Sequence, residues 1–221
     1  LVHAWRFGEK GVSHQARFVR TKKFIAEQQA GEFLVPAFGT AIEPKIPLRT
    51  SDTMNTANTN VIRMDGRLLA MWEGGSAHAM DAQNLETLGI VNWAPELAGM
   101  PFSAHPKMEA DGSLWNFGTI MGKIVLYHFS PQGKLLKHRI LNAPSSAMVH
   151  DFAISQKHMI FLFSPINLNM DAVRSGKSMV DAMEWRANES VKIMVVEKAD
   201  FSRFRILEIP ALMVFHFGNA W

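Results

Sequence analysis

The stretch "DGSLWNFGTIMG" (111–122), continued by "KIVLYHFSPQGKLLKHRIL" (123–141), decides the fold class. Its apolar runs are of strand length. They are bounded by Asp111-Gly112 and Gln132-Gly133, dipeptides that tolerate tight hairpin geometry. The same layout recurs on both sides: "GRLLAMWEGG" (66–75) after Asp65, "SQKHMIFLFSP" (155–165), and "ESVKIMVVEKADFSRFRILEIP" (189–210). Strand pairs starting at Arg67, Ser113 and His158 are 46 and then 45 residues apart. Four strands in about 40–50 residues is the spacing of β-propeller blades. A β-sandwich gives similar short strands without the period. The chain is expected to be all-β.

Composition bounds the function. The chain has 221 residues, of which 48% are hydrophobic, enough for a sizeable core. It has no cysteine, which excludes a disulfide framework, a thiolate metal site and a cysteine nucleophile. The net charge of +3, with no basic block, argues against nucleic-acid binding. No apolar run approaches the roughly 18 residues of a membrane span. A cytoplasmic protein is expected. The first residue is Leu1, and "LVHAWRF" begins in mid-strand, so the sequence is read as part of a longer chain.

Two segments break the β pattern. "TKKFIAEQQAGE" (21–32) reads as a short helix or an irregular loop. "NLNMDAVRSGKSMVDAMEWRAN" (167–188) has Met179, Val180, Met183 and Trp185 near helical spacing. It is expected to be an insertion with a helical turn or two. Such a segment either caps a substrate site or packs to fill a gap.

Of nine histidines, three sit in markedly apolar, strand-like runs: His105, His150 and His216. The other six lie among polar or alternating residues and read as surface or structural. Taken singly, each of the three is a core histidine with satisfied hydrogen bonds. Taken together, they are candidate ligands for Fe(II), Cu or Zn, which neutral imidazoles suit. Their spacings of 45 and 66 residues match no local metal motif, so a shared site has to come from different blades. Glu73 is a second anomaly, a carboxylate at the end of the apolar run "LLAMWEGG". It either sits at a hairpin rim in water or needs a donor, and the N–H of a ligand histidine would serve.

The segments "NTANTNVI" (55–62), "LLAMWEGGSAHAMD" (68–81), "FSAHPKMEADGSLWNFG" (102–118), "MVHDFAIS" (148–155) and "VFHFGNAW" (214–221) together resemble the carotenoid cleavage oxygenases, which include apocarotenoid- and stilbene-cleaving enzymes. The match runs along essentially the whole chain, in the family's order. The resemblance implies a seven-bladed β-propeller with a non-haem Fe(II) on its axis, held by four histidines. Residues 1–221 would then be a partial propeller, roughly blades 1 to 4 and incomplete. His105, His150 and His216 look like the first three iron ligands. Glu73 resembles the carboxylate that hydrogen-bonds the second of them, here His150. Thr59 resembles the threonine whose methyl crowds one iron coordination position. The fourth histidine and two further glutamates belong to the family's C-terminal half.

The implied reaction is Fe(II)-dependent cleavage of a carbon–carbon double bond by O2 into two carbonyl products, in an apolar tunnel. Fourteen methionines and fifteen phenylalanines suit such a tunnel, although ordinary core accounts for most of them. Peripheral membrane contact for substrate uptake is expected with it. Stilbene cleavers acting on 4-hydroxylated substrates place a lysine just before the glutamate and use an upstream tyrosine. Here Trp72 precedes Glu73, and "AFGTAIEP" (37–44) stands where the tyrosine is expected. An apocarotenoid-like substrate is therefore favoured over a stilbene or lignostilbene. A non-catalytic propeller that binds a lipid or a protein is the alternative from another class. A zinc hydrolase built on the three histidines is disfavoured, because no motif places a general base.

Overall fold

The computed structural model describes residues 1–218 and 220; the end of the "VFHFGNAW" motif, Asn219 and Trp221, lies outside the described residues. Strands β1 (Val2–Gly8) and β2 (Gly11–Arg17) form an antiparallel hairpin, followed by helix α1 (Lys22–Ala30). Thr21 caps α1, its hydroxyl oxygen accepting the Phe24 N–H at 3.1 Å, and Gly31 closes the other end in the left-handed region at φ 70°. The stretch 21–32 is thus a helix.

Three four-stranded antiparallel sheets follow. The first joins β3 (Asn60–Met64), β4 (Arg67–Met71), β5 (His78–Met80) and β6 (Thr87–Ile90). The second joins β7 (Lys107–Met108), β8 (Leu114–Ile120), β9 (Lys123–Phe129) and β10 (Leu135–Asn142). The third begins with β11 (Ala153–Ile154) and β12 (His158–Phe163). The chain then leaves this sheet for β13 (Ile166–Leu168), α2 (Met170–Arg174) and β14 (Met183–Trp185), and returns with β15 (Val191–Glu197) and β16 (Phe204–Ile209). Within each sheet every strand pairs with its successor in the sheet's own order, as a meander. The sheets begin at Asn60, Lys107 and Ala153, 47 and 46 residues apart. The expected turn at Asp65-Gly66, with φ values of 50° and 73°, joins Met64 to Arg67 as a two-residue hairpin of positive φ.

The excursion between β12 and β15 differs from its expected form. Its helix lies at Met170–Arg174, not over Met179–Trp185. Asn169 starts it early, its side-chain oxygen accepting the Ala172 N–H at 3.0 Å. Met183–Trp185 is drawn into a two-stranded ribbon, with Leu168 opposite Met183 and Ile166 opposite Trp185. Strand pairing overrides the helical spacing of the side chains.

The inner strands β8 and β9 of the second sheet are buried on both faces, and the period of two along β9 divides its side chains. Val125, Tyr127 and Phe129 join Leu69, Met71 and Phe102 in the core shared with the first sheet. Ile124 and Leu126 join Phe117, Phe152, Phe161 and Met194 in the core shared with the third. This double burial is why "KIVLYHF" reads as an almost unbroken apolar run. Among the described residues no helix is long and apolar enough to cross a membrane.

Candidate metal centre

Three chain segments outside the sheets carry the three histidines. The first is residues 101–105, which lie across β8. Ser103 donates its N–H to the Phe117 carbonyl at 2.7 Å, and Asn116 Nδ2 donates back to the Ser103 carbonyl at 2.9 Å. The Tyr127 hydroxyl donates to the Pro101 carbonyl at 2.9 Å, and Asn60 Nδ2 to the Ala104 carbonyl at 2.8 Å. This close approach requires Gly118: a Cβ there would stand 2.1 Å from the Pro101 carbonyl oxygen. His105 therefore leaves a fixed backbone.

His150 stands just before β11, with its side chain 10% exposed and the Phe215 ring packed against it at 4.1 Å between centroids. His216 lies in 212–218, a stretch that belongs to no strand or helix. It was expected on a buried strand, but its side chain is 61% exposed. Leu212, Met213 and Phe215 beside it are exposed too. Among the described residues the segment's backbone donates only from Val214 to Ser164 Oγ (3.2 Å) and from Phe217 to Asp151 Oδ2 (3.0 Å).

The three imidazoles nevertheless converge. One nitrogen from each lies within 4.8 Å of the others. Ring centroids are 4.4 Å apart for His105 and His150, 5.0 Å for His105 and His216, and 4.8 Å for His150 and His216. His105 Nε2 and His150 Nε2 are 2.9 Å apart. Burial, and then the neighbouring His150, hold His105 below the usual histidine range, so its imidazole is neutral at neutral pH and offers a lone pair.

Glu73 follows β4 by two residues, and its carboxylate touches His150 Nδ1. Among the described residues that buried nitrogen has no other polar partner. A proton on Nδ1 directed at Glu73 leaves the Nε2 lone pair facing His105, the tautomer a metal ligand needs. The loop carrying Glu73 is held by buried Asp52, whose carboxylate accepts from Asn55 Nδ2 (3.0 Å), Ser76 N–H (2.8 Å) and Ser76 Oγ (2.9 Å). Trp72 is buried among Val35, Met54, Val173 and Ala182, and so ties this loop to the 167–188 excursion. Thr59 is exposed just before β3. Its N–H donates to the Met71 carbonyl at 3.0 Å, while its hydroxyl meets Asn58 Oδ1 at 3.5 Å, not a histidine.

Sequence reasoning missed Asp151. Its side chain is 3% exposed, and its Oδ1 lies 2.7 Å from Lys107 Nζ. Burial pushes this carboxyl up, but the Lys107 ammonium and the N–H groups of Phe217 and Phe152 more than reverse that and hold it below the usual range. The signal was present: "MVHDFAIS" puts a carboxylate in an apolar run, as "LLAMWEGG" does. The donor set is three imidazole nitrogens with one ring oriented by a carboxylate, which fits a divalent first-row transition metal.

Residues 1–221 match the family described as retinal pigment epithelial membrane protein, RPE65. The apocarotenoid-15,15'-oxygenase of Synechocystis is 32% identical over 100% of this chain and 48% of its own length. The lignostilbene-alpha,beta-dioxygenase isozyme III of Sphingomonas paucimobilis is 29% identical over 80% of this chain and 37% of its own. A crystal structure of cobalt-substituted Synechocystis apocarotenoid oxygenase superimposes with a TM-score of 0.82 at 30% identity, covering 97% of this chain and 48% of that one. The chain spans about half the length of the curated relatives it matches.

Proposed function

The chain belongs to the retinal pigment epithelial membrane protein family, and from that premise we propose that the whole protein is an Fe(II)-dependent dioxygenase that cleaves a carbon–carbon double bond of an apocarotenoid-like substrate. The observation that carries this reading is the convergence of His105, His150 and His216 within 4.8 Å, with Glu73 on His150. In this reading the three meanders are blades of a seven-bladed propeller, and the histidine segments point toward its axis.

His105, His150 and His216 would hold the iron, which when bound supplies electron density to dioxygen and needs no other redox cofactor. Glu73 keeps the His150 proton on Nδ1 and so commits Nε2 to the metal. The backbone leading to His105 is held by the bonds to β8 and β9, which limits the reorganisation needed on binding. Phe215 shields His150 from water on one side. Thr59 is assigned to the rim of the open iron positions, and the 167–188 excursion to the cap over the substrate.

Two observations favour a non-phenolic substrate over a hydroxystilbene. Tyr127, the only tyrosine of the 221 residues, is buried and donates its hydroxyl to the Pro101 carbonyl. Burial pushes that hydroxyl above its usual range, so it is not poised to ionise a phenol. Trp72, where phenol-gripping relatives would carry a lysine, is spent on packing.

The test is turnover by the full-length protein purified with its iron. An apocarotenal and a 4-hydroxystilbene are supplied side by side under O2, and aldehyde release is measured. The expected result is one iron per chain, oxygen-dependent cleavage of the apocarotenal, and none by His150→Ala. Preference for the hydroxystilbene would overturn the substrate; iron-free protein, or no cleavage of any alkene, would overturn the reaction.

A further inference from the structure

We propose that Asp151 is a positioning residue that gathers the three histidine-bearing segments, with Lys107 as its counter-charge. The proposal rests on the reading above of His105, His150 and His216 as ligands of one iron.

A single buried carboxylate reaches the His150 segment, the His216 segment and β7, the strand that begins two residues after His105. Asp151 follows His150 in the chain. Its Oδ1 lies 2.7 Å from Nζ of Lys107, two residues beyond His105, and accepts the Phe152 N–H at 2.8 Å. Its Oδ2 accepts the N–H of Phe217, the residue after His216, at 3.0 Å. The His216 imidazole is farther away, with Nδ1 at 3.7 Å, beyond hydrogen-bond reach. Asp151 therefore holds the third segment by its backbone and leaves the ring nitrogens to other partners.

Among the described residues little else holds that segment. His105 is fixed by the bonds to β8 and β9, and His150 by burial against Phe215 and Glu73. His216 is exposed on a stretch with no ladder pairing among the described residues. A charge-assisted bond from Asp151 is stronger than a neutral one. Among the described residues it shares this task with the Val214 bond to Ser164. A buried carboxylate without a cation would be costly, and Lys107 removes that cost while tying β7, just after the first segment, to the other two.

The experiment uses the full-length protein and two readouts. One is hydrogen exchange of the peptide spanning 214–217 in the iron-free state; the other is Fe(II) affinity by titration. Asp151→Ala is expected to raise exchange at 214–217 and to weaken Fe(II) binding by about tenfold or more, the range for partners behind metal ligands. Asp151→Asn keeps one acceptor oxygen, folds more readily, and is expected to lose about three- to tenfold in affinity. Leu69→Ala, in the core between the first and second sheets, serves as control. It lowers stability and is expected to leave both readouts unchanged once folded. Wild-type exchange and affinity in either folded Asp151 variant overturns the clamp, as does an equal change in Leu69→Ala. A wild-type protein that binds no iron overturns the ligand reading instead, and exchange in the iron-free protein still decides the clamp.

Discussion

His105 Nε2 lies 2.9 Å from His150 Nε2, although 45 residues separate the two in the chain. Two imidazole nitrogens this close either share one proton or present two lone pairs to one cation. Glu73 biases the choice, because its carboxylate draws the His150 proton to Nδ1. Glu73→Gln removes the charge that makes this tautomer favourable. The expected outcome is a 10- to 100-fold loss of Fe(II) affinity, roughly the range for such partners, read by metal titration of the full-length protein, with little change in melting temperature.

Gly118→Ala tests the seat of His105. The added methyl would stand 2.1 Å from the Pro101 carbonyl oxygen, a backbone atom that cannot rotate away. Expected are a loss of about 3 kcal/mol of stability, the upper part of the overpacking range, and weaker iron binding. Chemical denaturation and iron content of the same preparation check both. A stable variant with full iron content would show that 101–105 is not held by β8.

Tyr127→Phe isolates one hydrogen bond. The ring keeps its place in the core beside Phe102 and Phe129, while the buried Pro101 carbonyl loses its hydroxyl donor. The expected cost is about 1–3 kcal/mol, that of leaving a buried acceptor unpaired. Urea unfolding of wild type and variant measures it, and a difference near zero would mean water replaces the hydroxyl.

Glu109 gives the protein an acid-labile contact. Burial pushes its carboxyl up, but the Lys198 ammonium, at 2.6 Å, and the Trp115 N–H, at 2.7 Å, more than offset that and hold it below the usual glutamate value of 4.5. The unfolded chain therefore takes up the proton first. The stabilisation is complete above about pH 4.5, and is lost as pH falls through the lower folded-state value. Glu109→Gln is expected to flatten the fall in urea midpoint between about pH 5 and pH 3. The same slope in both proteins would assign the acid sensitivity elsewhere.

Much of the fold is legible in local sequence. Asp65-Gly66 needs positive φ at both positions, and alternation along "KIVLYHF" divides Val125, Tyr127 and Phe129 from Ile124 and Leu126. These are short-range constraints, readable within a few residues. The excursion is less legible, because Met183–Trp185 takes its conformation from pairing with Ile166–Leu168 and not from its own spacing. In the candidate site, the histidines and Glu73 stood out as polar groups in apolar runs. Asp151 stood out equally and was passed over, since its meaning comes from Lys107 and Phe217, 44 and 66 residues away.

By itself the sequence determined that this protein is all-β, that its strands come in groups of about 46 residues, and which side chains are chemically anomalous. Each of these follows from steric and hydrophobic rules that act locally. Only the tertiary structure decided that nitrogens from residues 105, 150 and 216 meet within 4.8 Å. It alone revealed that the His216 segment is held through the Phe217 N–H, and that the buried aspartate accepting it, next to His150, also pairs with Lys107. The reason is that loops between separate sheets carry the site. Their relative placement is set by packing across two cores and a few long-range polar contacts, and no spacing along the chain encodes those distances.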